Sequence, residues 1–265
     1  MKEKKIIFFD IDGTLISDKN YTIPDSTVTA LKELKSKGNL AFINTGRTSY
    51  EITDVIRKLD FDGYVCGCGT YVEYKDKVLL SKSLGTEKTS EIIQDIINCK
   101  LEAILESQTG IYFDKPENIT HKIILQIIEQ HKIEGFYKSN TWYQDNIDIN
   151  KFVIFLNSNS NFETFFNKYK AEFDFIKRTD DFYEVVPKGY SKASGIEFII
   201  NKLNIPYENT FAIGDSTNDL PMLKYVNTSI AMGNSSPEIF DSVSYITTDL
   251  HNNGIHNALK HFNLI

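Results

Sequence analysis

The chain has 265 residues, which is long enough for two domains with buried cores. Its hydrophobic (41%) and charged (25%) fractions are those of a folded globular protein, and no apolar run approaches the roughly 20 residues of a membrane span. The net charge of −7 disfavours nucleic acid and membrane surfaces as partners. A disordered, membrane-spanning or general nucleic-acid-binding protein is therefore not expected.

The N-terminus and the cysteines bear on the cellular compartment. The apolar stretch Ile6–Phe9 ends at Asp10 and is too short for the core of a signal peptide. Three cysteines, an odd number, do not suggest a disulfide framework. We therefore expect a cytoplasmic protein, and we expect it to be a monomer or a weak homo-oligomer.

The first part of the chain alternates between strands and helices. An apolar run at 5–9 predicts a buried parallel strand. Apolar residues at helical spacing predict a helix over 25–37 that stops at Gly38. The pattern then predicts a strand at 40–43, a helix over 49–59, and a hairpin of strands at 71–74 and 77–80.

The middle of the chain mixes helices with paired strands, which is typical of a separate α+β unit. Its predicted helices lie near 87–98, 118–131 and 161–171, and its predicted strands near 101–106, 110–113, 151–156, 173–177 and 182–186.

Strict alternation returns from Ser191 onwards. The pattern predicts strands at 210–213, 228–231 and 243–246, and helices over 191–203, 219–225, after Pro237 and over 254–262. Alternation of this kind predicts a doubly wound α/β fold with a parallel sheet covered on both faces. The two ends, 1–82 and 186–265, would form this core, and 83–185 would form an inserted α+β cap that sets substrate specificity.

Four polar segments are expected at the carboxyl edge of the predicted sheet, where ligands bind in open parallel sheets. They are 10–15, 44–47, 188–192 and 214–219. The first and last of these contain four carboxylates, Asp10, Asp12, Asp215 and Asp219, which would repel one another unless a cation held them together. Hard oxygen ligands favour Mg²⁺, so a bound magnesium is the expected cofactor.

The other two segments can bind a phosphate group. Thr45 can offer its hydroxyl and its backbone N–H, and Gly46 follows it in the same segment. Lys192 adds a fixed positive charge, and Asn218 is a neutral donor in the acidic loop. These residues predict a site for phosphoryl transfer to or from a small phosphorylated metabolite.

The four segments, in this order and spacing, resemble the haloacid dehalogenase superfamily of phosphatases, and the long insertion resembles the Cof-type branch. The resemblance implies that Asp10 is the nucleophile and that Asp12 is first the general acid and then the general base. It further implies that Asp10, the backbone carbonyl of Asp12 and Asp215 bind the metal, and that Asp219 orients them. Thr45 and Lys192 match the family's phosphate-holding positions.

Two further loops bear on the substrate. Many relatives carry Asn-Gly-Ala where this chain has Cys68-Gly69-Thr70, which puts in question a substrate contact that this asparagine often supplies. Gly233-Asn234 resembles a loop that lies near the active site in relatives. The resemblance implies a magnesium-dependent phosphatase that acts through an aspartyl-phosphate, with a sugar phosphate or a phosphorylated cofactor as substrate.

Several alternatives stay open on sequence alone. A phosphomutase-type phosphotransferase would use the same residues, and a non-catalytic phosphometabolite sensor would keep the metal site. Thr45 could be an ordinary helix cap and Lys192 a solvated lysine. Arg47 could reach substrate or pair with a surface carboxylate. Cys66 and Cys68 lack a second ligand pair at zinc spacing, so buried free thiols are expected there.

Overall fold

The computed structural model describes residues 4–17 and 21–265. They divide into two compact units. The first unit comprises the residues up to Gly46, Asp54–Leu80 and Ser191–Ile265, and the second comprises Arg47–Thr53 and Ser81–Tyr190. The predicted division at 82/83 and 185/186 differs from this one most clearly at Arg47–Thr53, which belongs to the second unit because its side chains bind residues there.

Strands and helices alternate along the described chain. The strands are β1 (Ile6–Phe9), β2 (Leu40–Asn44), β3 (Gly63–Cys66), β4 (Tyr71–Tyr74), β5 (Lys77–Ser81), β6 (Glu102–Glu106), β7 (Ile111–Tyr112), β8 (Lys151–Phe155), β9 (Phe173–Thr179), β10 (Phe182–Pro187), β11 (Thr210–Gly214), β12 (Thr228–Ala231) and β13 (Tyr245–Ile246). The helices are α1 (Asp25–Ser36), α2 (Asp54–Arg57), α3 (Thr86–Asn98), α4 (Lys122–Glu134), α5 (Phe162–Tyr169), α6 (Lys192–Leu203), α7 (Leu220–Tyr225) and α8 (Gly254–His261). None of them is long and apolar enough to cross a membrane.

The first unit is built on an eight-stranded sheet in the order β13-β12-β11-β1-β2-β3-β4-β5. Strand β1 lies between β11 and β2, is parallel to both, and is fully buried. Its last residue, Phe9, pairs with Ile43 on one side and Ile213 on the other. The loops that follow β1, β2 and β11 therefore leave the sheet at the same edge, as predicted.

The apolar faces of helices α6 and α7 complete the core on one side of this sheet. Ile196 and Ile199 of α6 and Met222 of α7 form one buried cluster with Phe8 and Phe42 of the strands. Helix propensity alone does not fix a helix of this length; burial of its apolar stripe does. The expected fold class, a doubly wound α/β fold, is confirmed.

Two predicted helices differ from the structure. The expected helix over 49–59 is a 3₁₀ turn, Ser49–Glu51, followed by the short helix α2, because the chain is extended at Ile52 (φ −79°, ψ 102°). The Glu51 carboxylate accepts a hydrogen bond from the N–H of Thr48 at 2.8 Å, which caps the start of the turn. The expected helix after Pro237 is likewise a 3₁₀ turn, Pro237–Ser242.

The second unit is an α+β unit with a five-stranded antiparallel sheet in the order β7-β6-β8-β10-β9. Helices α3 and α5 pack on one face of it through a cluster that includes Ile92, Phe152, Phe165 and Tyr169. Trp142 belongs to the same cluster. Aromatic side chains thus form much of the core on this face of the sheet.

A buried ion pair network lies on the sheet of the second unit. The Lys151 Nζ is 2.8 Å from Glu184 Oε1 and also contacts Glu106, and Arg178 contacts Glu184 as well. Glu184 thus has two cationic partners, while Glu106 shares one. Burial raises the pKa of Glu106 despite Lys151. At Glu184 burial acts in the same direction, but Lys151 and Arg178 outweigh it and hold the pKa well below its usual range.

We predict opposite behaviour for two matched variants of this network. Glu184→Gln leaves Lys151 and Arg178 short of a counter-charge and should cost about 3–5 kcal/mol of unfolding free energy near pH 7. Glu106→Gln resembles the protonated carboxyl that the site favours and should cost under about 1 kcal/mol there. Urea unfolding of the full chain measures both values.

The pH dependence of the same two variants gives a second check. Because the folded pKa of Glu106 lies above its unfolded value, its contribution to stability is present at low pH and declines as the pH rises through the folded pKa. Glu106→Gln should remove that decline. The contribution of Glu184 has the opposite sign, since it is present above the unfolded pKa and lost on acidification. Equal losses in both variants, or an unchanged pH profile in Glu106→Gln, would contradict this assignment of charges.

Candidate active site

A buried ammonium group joins two carboxylates at the carboxyl edge of the first unit's sheet. Asp10 directly follows β1 and is 4% exposed, and Lys192 is 2% exposed. The Lys192 Nζ lies 2.6 Å from Asp10 Oδ1 and 2.5 Å from Asp219 Oδ1. The structure thus excludes a solvated Lys192 and places it against the predicted nucleophile.

The start of helix α6 fixes the position of Lys192. Ser191 caps the helix, because its hydroxyl accepts a hydrogen bond from the N–H of Ser194 at 3.1 Å. Lys192 is the first residue of the helix. The buried Asn44 at the end of β2 donates to the Lys192 carbonyl at 2.9 Å. The lysine is therefore held from both the helix and the sheet.

The loop after β11 holds Asp219 behind Asp215. Asp219 is fully buried, and its Oδ2 accepts from the N–H groups of Asp215 (2.9 Å) and Ser216 (3.1 Å). Both Asp219 oxygens therefore have protein partners, because Oδ1 accepts from Lys192. The half-buried Asp215 accepts at Oδ1 from the hydroxyl of Thr14 at 3.1 Å. This arrangement suits an orienting role for Asp219.

Three carboxylates lie close enough to share a metal ion. Asp10, Asp215 and Asp219 each offer an oxygen, and these oxygens lie within 4.8 Å of one another. Burial, followed by the charge of Asp219, raises the pKa of Asp10, and Asp12 adds to the effect, while Lys192 opposes it. The single ammonium of Lys192 does not neutralise all the carboxylates, so the acidic cluster keeps a net negative charge. The residues therefore fit a hard divalent cation.

Thr45 and Gly46 directly follow β2, as predicted. The predicted contact between the Thr45 N–H and phosphate is wrong. The backbone N–H of Thr45 donates to the carbonyl of Val65 at 2.9 Å, because the pairing of β2 with β3 continues one residue past the end of β2. That N–H cannot also bind a phosphate. The buried hydroxyl of Thr45 and the half-buried Gly46 stay predicted phosphate contacts.

Asp12 and Asn218 are half-buried residues near the acidic cluster. Asp12 lies within electrostatic reach of Asp10, whose pKa it helps to raise. Asn218 accepts a hydrogen bond from the hydroxyl of Ser216 through its carboxamide oxygen. Their predicted roles, in proton transfer and in phosphate binding, stay predictions.

Arg47 pairs with a carboxylate of the second unit. Its guanidinium makes two hydrogen bonds to Glu134, at 2.6 and 3.1 Å, and the Glu134 side chain is 8% exposed. Of the two alternatives for Arg47, the structure shows ion pairing, and with a largely buried carboxylate rather than a surface one. Cys66, Cys68 and Cys99 are buried thiols outside any disulfide, as expected for the first two.

Two residues next to the predicted catalytic pair have roles that the sequence did not indicate. Gly13 has a left-handed backbone (φ +72°), and a Cβ built on it would lie 2.4 Å from Asp215 Oδ2. Thr14 supplies the hydroxyl that binds Asp215. The Gly-Thr of the Asp-x-Asp-Gly-Thr motif therefore connects the loop after β1 to the loop after β11. The only sequence signal for this is the glycine itself, a residue that tolerates positive φ.

The fold and this site define a haloacid dehalogenase-like hydrolase. Residues 7–259 match the family model of that description, so the chain belongs to the family. This match confirms the resemblance to superfamily phosphatases of the Cof type, and with it the expected class of enzyme, a phosphoric monoester hydrolase.

Relatives and solved structures agree with this placement. The chain is 28% identical to the putative phosphatase YkrA of Bacillus subtilis over 99% of both chains. It is 25% identical to the 5-amino-6-(5-phospho-D-ribitylamino)uracil phosphatase YcsE of the same organism, over 97% of this chain and 95% of YcsE. Among solved structures, a subclass IIB sugar phosphatase of the superfamily aligns over 99% of this chain and 100% of its own, with 26% identity and a TM-score of 0.82. A hypothetical protein from Geobacillus kaustophilus aligns over 99% and 100%, with 30% identity and a TM-score of 0.83.

We predict that Gly13→Ala disrupts the acidic cluster, whereas Gly38→Ala does not. Both glycines have a left-handed backbone, but a Cβ on Gly38 meets nothing within 4 Å. Each variant should lose about 1–2 kcal/mol of stability from backbone strain. Only Gly13→Ala should also weaken Mg²⁺-dependent thermal stabilisation and hydrolysis of p-nitrophenyl phosphate, by about tenfold or more. If the two variants lose activity equally, the contact between Gly13 and Asp215 does not shape the site.

Proposed function

We propose that the protein is a magnesium-dependent phosphatase that transfers the phosphoryl group of a small metabolite to Asp10 and then to water. The observation that carries this proposal is the buried Lys192 bridge, which fixes one oxygen of Asp10 within the acidic cluster. A buried carboxylate that is oriented in this way is equipped to act as a nucleophile.

In the first step the Asp10 carboxylate attacks phosphorus. Lys192 holds Oδ1, so we assign the attack to Oδ2. An electron pair of Oδ2 forms the new O–P bond as the bond from phosphorus to the ester oxygen breaks. Asp12, protonated at this stage, gives its proton to the departing oxygen, which leaves as an alcohol. The product on the protein is an aspartyl-phosphate at Asp10.

In the second step water releases the phosphate. Asp12, now a carboxylate, takes a proton from the water that attacks phosphorus, and the bond between Oδ2 and phosphorus breaks. Inorganic phosphate and the Asp10 carboxylate result, and Asp12 is protonated again. Asp12 is half-buried, which suits proton exchange with the leaving group and with water. Asp10 is almost fully buried, which suits nucleophilic attack.

The phosphate would be held by the hydroxyl of Thr45, Gly46, Lys192 and Asn218. Thr45 and Lys192 are linked through Asn44, whose side chain binds the Lys192 carbonyl. Positive charge and donors placed in this way stabilise the equatorial oxygens in the transition state.

We further propose that Asp10, Asp215 and the backbone carbonyl of Asp12 hold Mg²⁺, with Asp219 as the orienting carboxylate. The close approach of the carboxylate oxygens supports this assignment. When bound, Mg²⁺ neutralises charge on the phosphate and on the acidic cluster.

A sugar phosphate is the proposed first substrate class, and a phosphorylated cofactor is the second. The related sugar phosphatase supports the first class, and YcsE, whose name gives a phosphorylated ribitylaminouracil as substrate, supports a small phosphorylated metabolite more generally. A cytoplasmic location is proposed because three buried thiols that form no disulfide suit a reducing compartment. The role of 83–185 as a specificity cap stays a prediction.

The reaction class is tested by phosphate release from a panel of phosphorylated sugars, cofactors and nucleotides, with and without Mg²⁺. Release should require Mg²⁺, and Asp10→Asn should reduce it on the order of 10³-fold or more while the protein stays folded. Asp76→Asn, an identical chemical change at an exposed turn, is the control and should retain full activity.

The alternatives predict other outcomes of the same panel. Turnover only with a bisphosphate activator would favour a phosphomutase. No turnover of any substrate by folded protein with Mg²⁺ would favour a sensor. Wild-type turnover by Asp10→Asn would rule out Asp10 as the nucleophile.

Proton transfer by Asp12 predicts a dependence on the leaving group. Asp12→Asn should lower kcat about 10²–10⁴-fold for a sugar phosphate, whose alkoxide needs a proton. The loss in formation of the phosphoenzyme should be much smaller for p-nitrophenyl phosphate, because nitrophenolate leaves unprotonated. Burst and steady-state kinetics separate this step from breakdown. An equal loss of phosphoenzyme formation for both substrates would argue against the acid role.

A further inference from the structure

The loop that follows β12, residues 232–236, contacts both acidic loops of the site. Its Met232 N–H donates to the Gly214 carbonyl at 3.0 Å, and its Ser236 N–H donates to the Asp215 carbonyl at 3.0 Å. Both bonds join backbone atoms, so they do not depend on the side chains of the loop. They attach the loop to the backbone that carries Asp215.

Asn234 attaches the same loop to the backbone after β1. Its Nδ2 donates to the Gly13 carbonyl at 2.8 Å, and its Oδ1 accepts from the Leu250 N–H at 2.9 Å. The two backbone groups fix the orientation of the carboxamide, because only its nitrogen can donate and only its oxygen can accept. Although Asn234 as a residue is exposed, both ends of its amide are thus engaged.

The bond to Gly13 lies where the two acidic loops contact each other. Gly13 lies so near Asp215 that a Cβ would reach Asp215 Oδ2 at 2.4 Å. Asp12, whose carbonyl is a proposed metal ligand, is the preceding residue. A shift of the backbone at Gly13 would therefore move the Asp12 carbonyl. It would also change the contact between Gly13 and Asp215.

We propose that Asn234 is a positioning residue that sets the spacing between the Asp10–Gly13 loop and the Asp215 loop, and thereby the affinity of the site for its divalent cation. It acts through Gly13 and does not need to touch the substrate. The proposal rests on the proposed function, since it concerns the same cation site. It extends that function by assigning a role to a residue on a third loop, outside the acidic and phosphate-binding segments.

Two variants separate the two halves of the amide. Asn234→Ala removes both hydrogen bonds. Asn234→Asp keeps the acceptor for Leu250 but turns an oxygen towards the Gly13 carbonyl. An added carboxylate would by itself strengthen cation binding, so weaker binding in Asn234→Asp identifies the bond to Gly13 as the cause. Asn257 is the control, because its Nδ2 binds Thr248 Oγ1 and the Asn252 carbonyl in the neighbouring segment.

The measurements are the Mg²⁺ concentration for half-maximal thermal stabilisation, the Mg²⁺ concentration for half-maximal activity, and kcat and KM at saturating Mg²⁺. Both Asn234 variants should need about tenfold more Mg²⁺ in both titrations, as is typical for partners that orient metal ligands. Their KM should change less than about twofold. Asn257→Asp should match the wild type in all four values.

Other results overturn the positioning role. A raised KM with unchanged Mg²⁺ affinity would make Asn234 a substrate contact. Wild-type Mg²⁺ affinity in Asn234→Asp would show that the bond to Gly13 has no such effect. If the wild type binds Mg²⁺ in the thermal titration but releases no phosphate, the phosphatase proposal fails while the thermal titration still tests Asn234. If the wild type shows no response to Mg²⁺ at all, both proposals fail.

Discussion

The arrangement of the site depends on one buried ammonium between two buried carboxylates. Removing Lys192, Asp10 and Asp219 from water is costly, and their mutual attraction offsets that cost only if the geometry is maintained. The rest of the site serves this geometry. Backbone N–H groups satisfy the second oxygen of Asp219, and Asn44 holds the first turn of the helix that carries the lysine. The same triad leaves the acidic cluster with excess negative charge, which is the physical reason to expect a cation.

The parallel sheet makes this constraint possible, because adjacent strands end at one edge. Phe9, Ile43 and Ile213 lie side by side in the ladder, so the loops that follow them start a few ångströms apart although they are far apart in sequence. The contacts of Gly13 and Thr14 with Asp215 then lock two of these loops together. The loop after β12 adds a third attachment. A site with this many backbone constraints is preorganised for the charge that develops during phosphoryl transfer.

Much of this could be predicted from local patterns, and the exceptions have physical causes. Strand β1 was predictable because a buried strand is a short apolar run, and the clustering of Asp10, Asp215 and Asp219 followed from the direction of parallel strands. The break at Ile52 was not, because it depends on tertiary packing: Arg47–Thr53 belongs to the second unit, whereas the chain from Asp54 belongs to the first. The hydrogen bond from the Thr45 N–H to the Val65 carbonyl could not be predicted, because the number of residues that β2 pairs with β3 depends on β3 as well. Asn234 and Gly13 are 221 residues apart, and the sequence indicated only by resemblance that the Asn234 loop lies near the site, not that Asn234 binds the Gly13 carbonyl.

The most direct test of the account is to locate the phosphoryl group on the protein during turnover. Asp12→Asn, which should slow breakdown of the intermediate, is mixed with Mg²⁺ and substrate, quenched in acid and digested for mass spectrometry. The account predicts phosphate on the peptide that contains Asp10, present only with substrate and absent in the double variant Asp10→Asn, Asp12→Asn. A phosphate group on any other side chain, or phosphate release with no phosphorylated peptide under conditions that stabilise acyl phosphates, would contradict it.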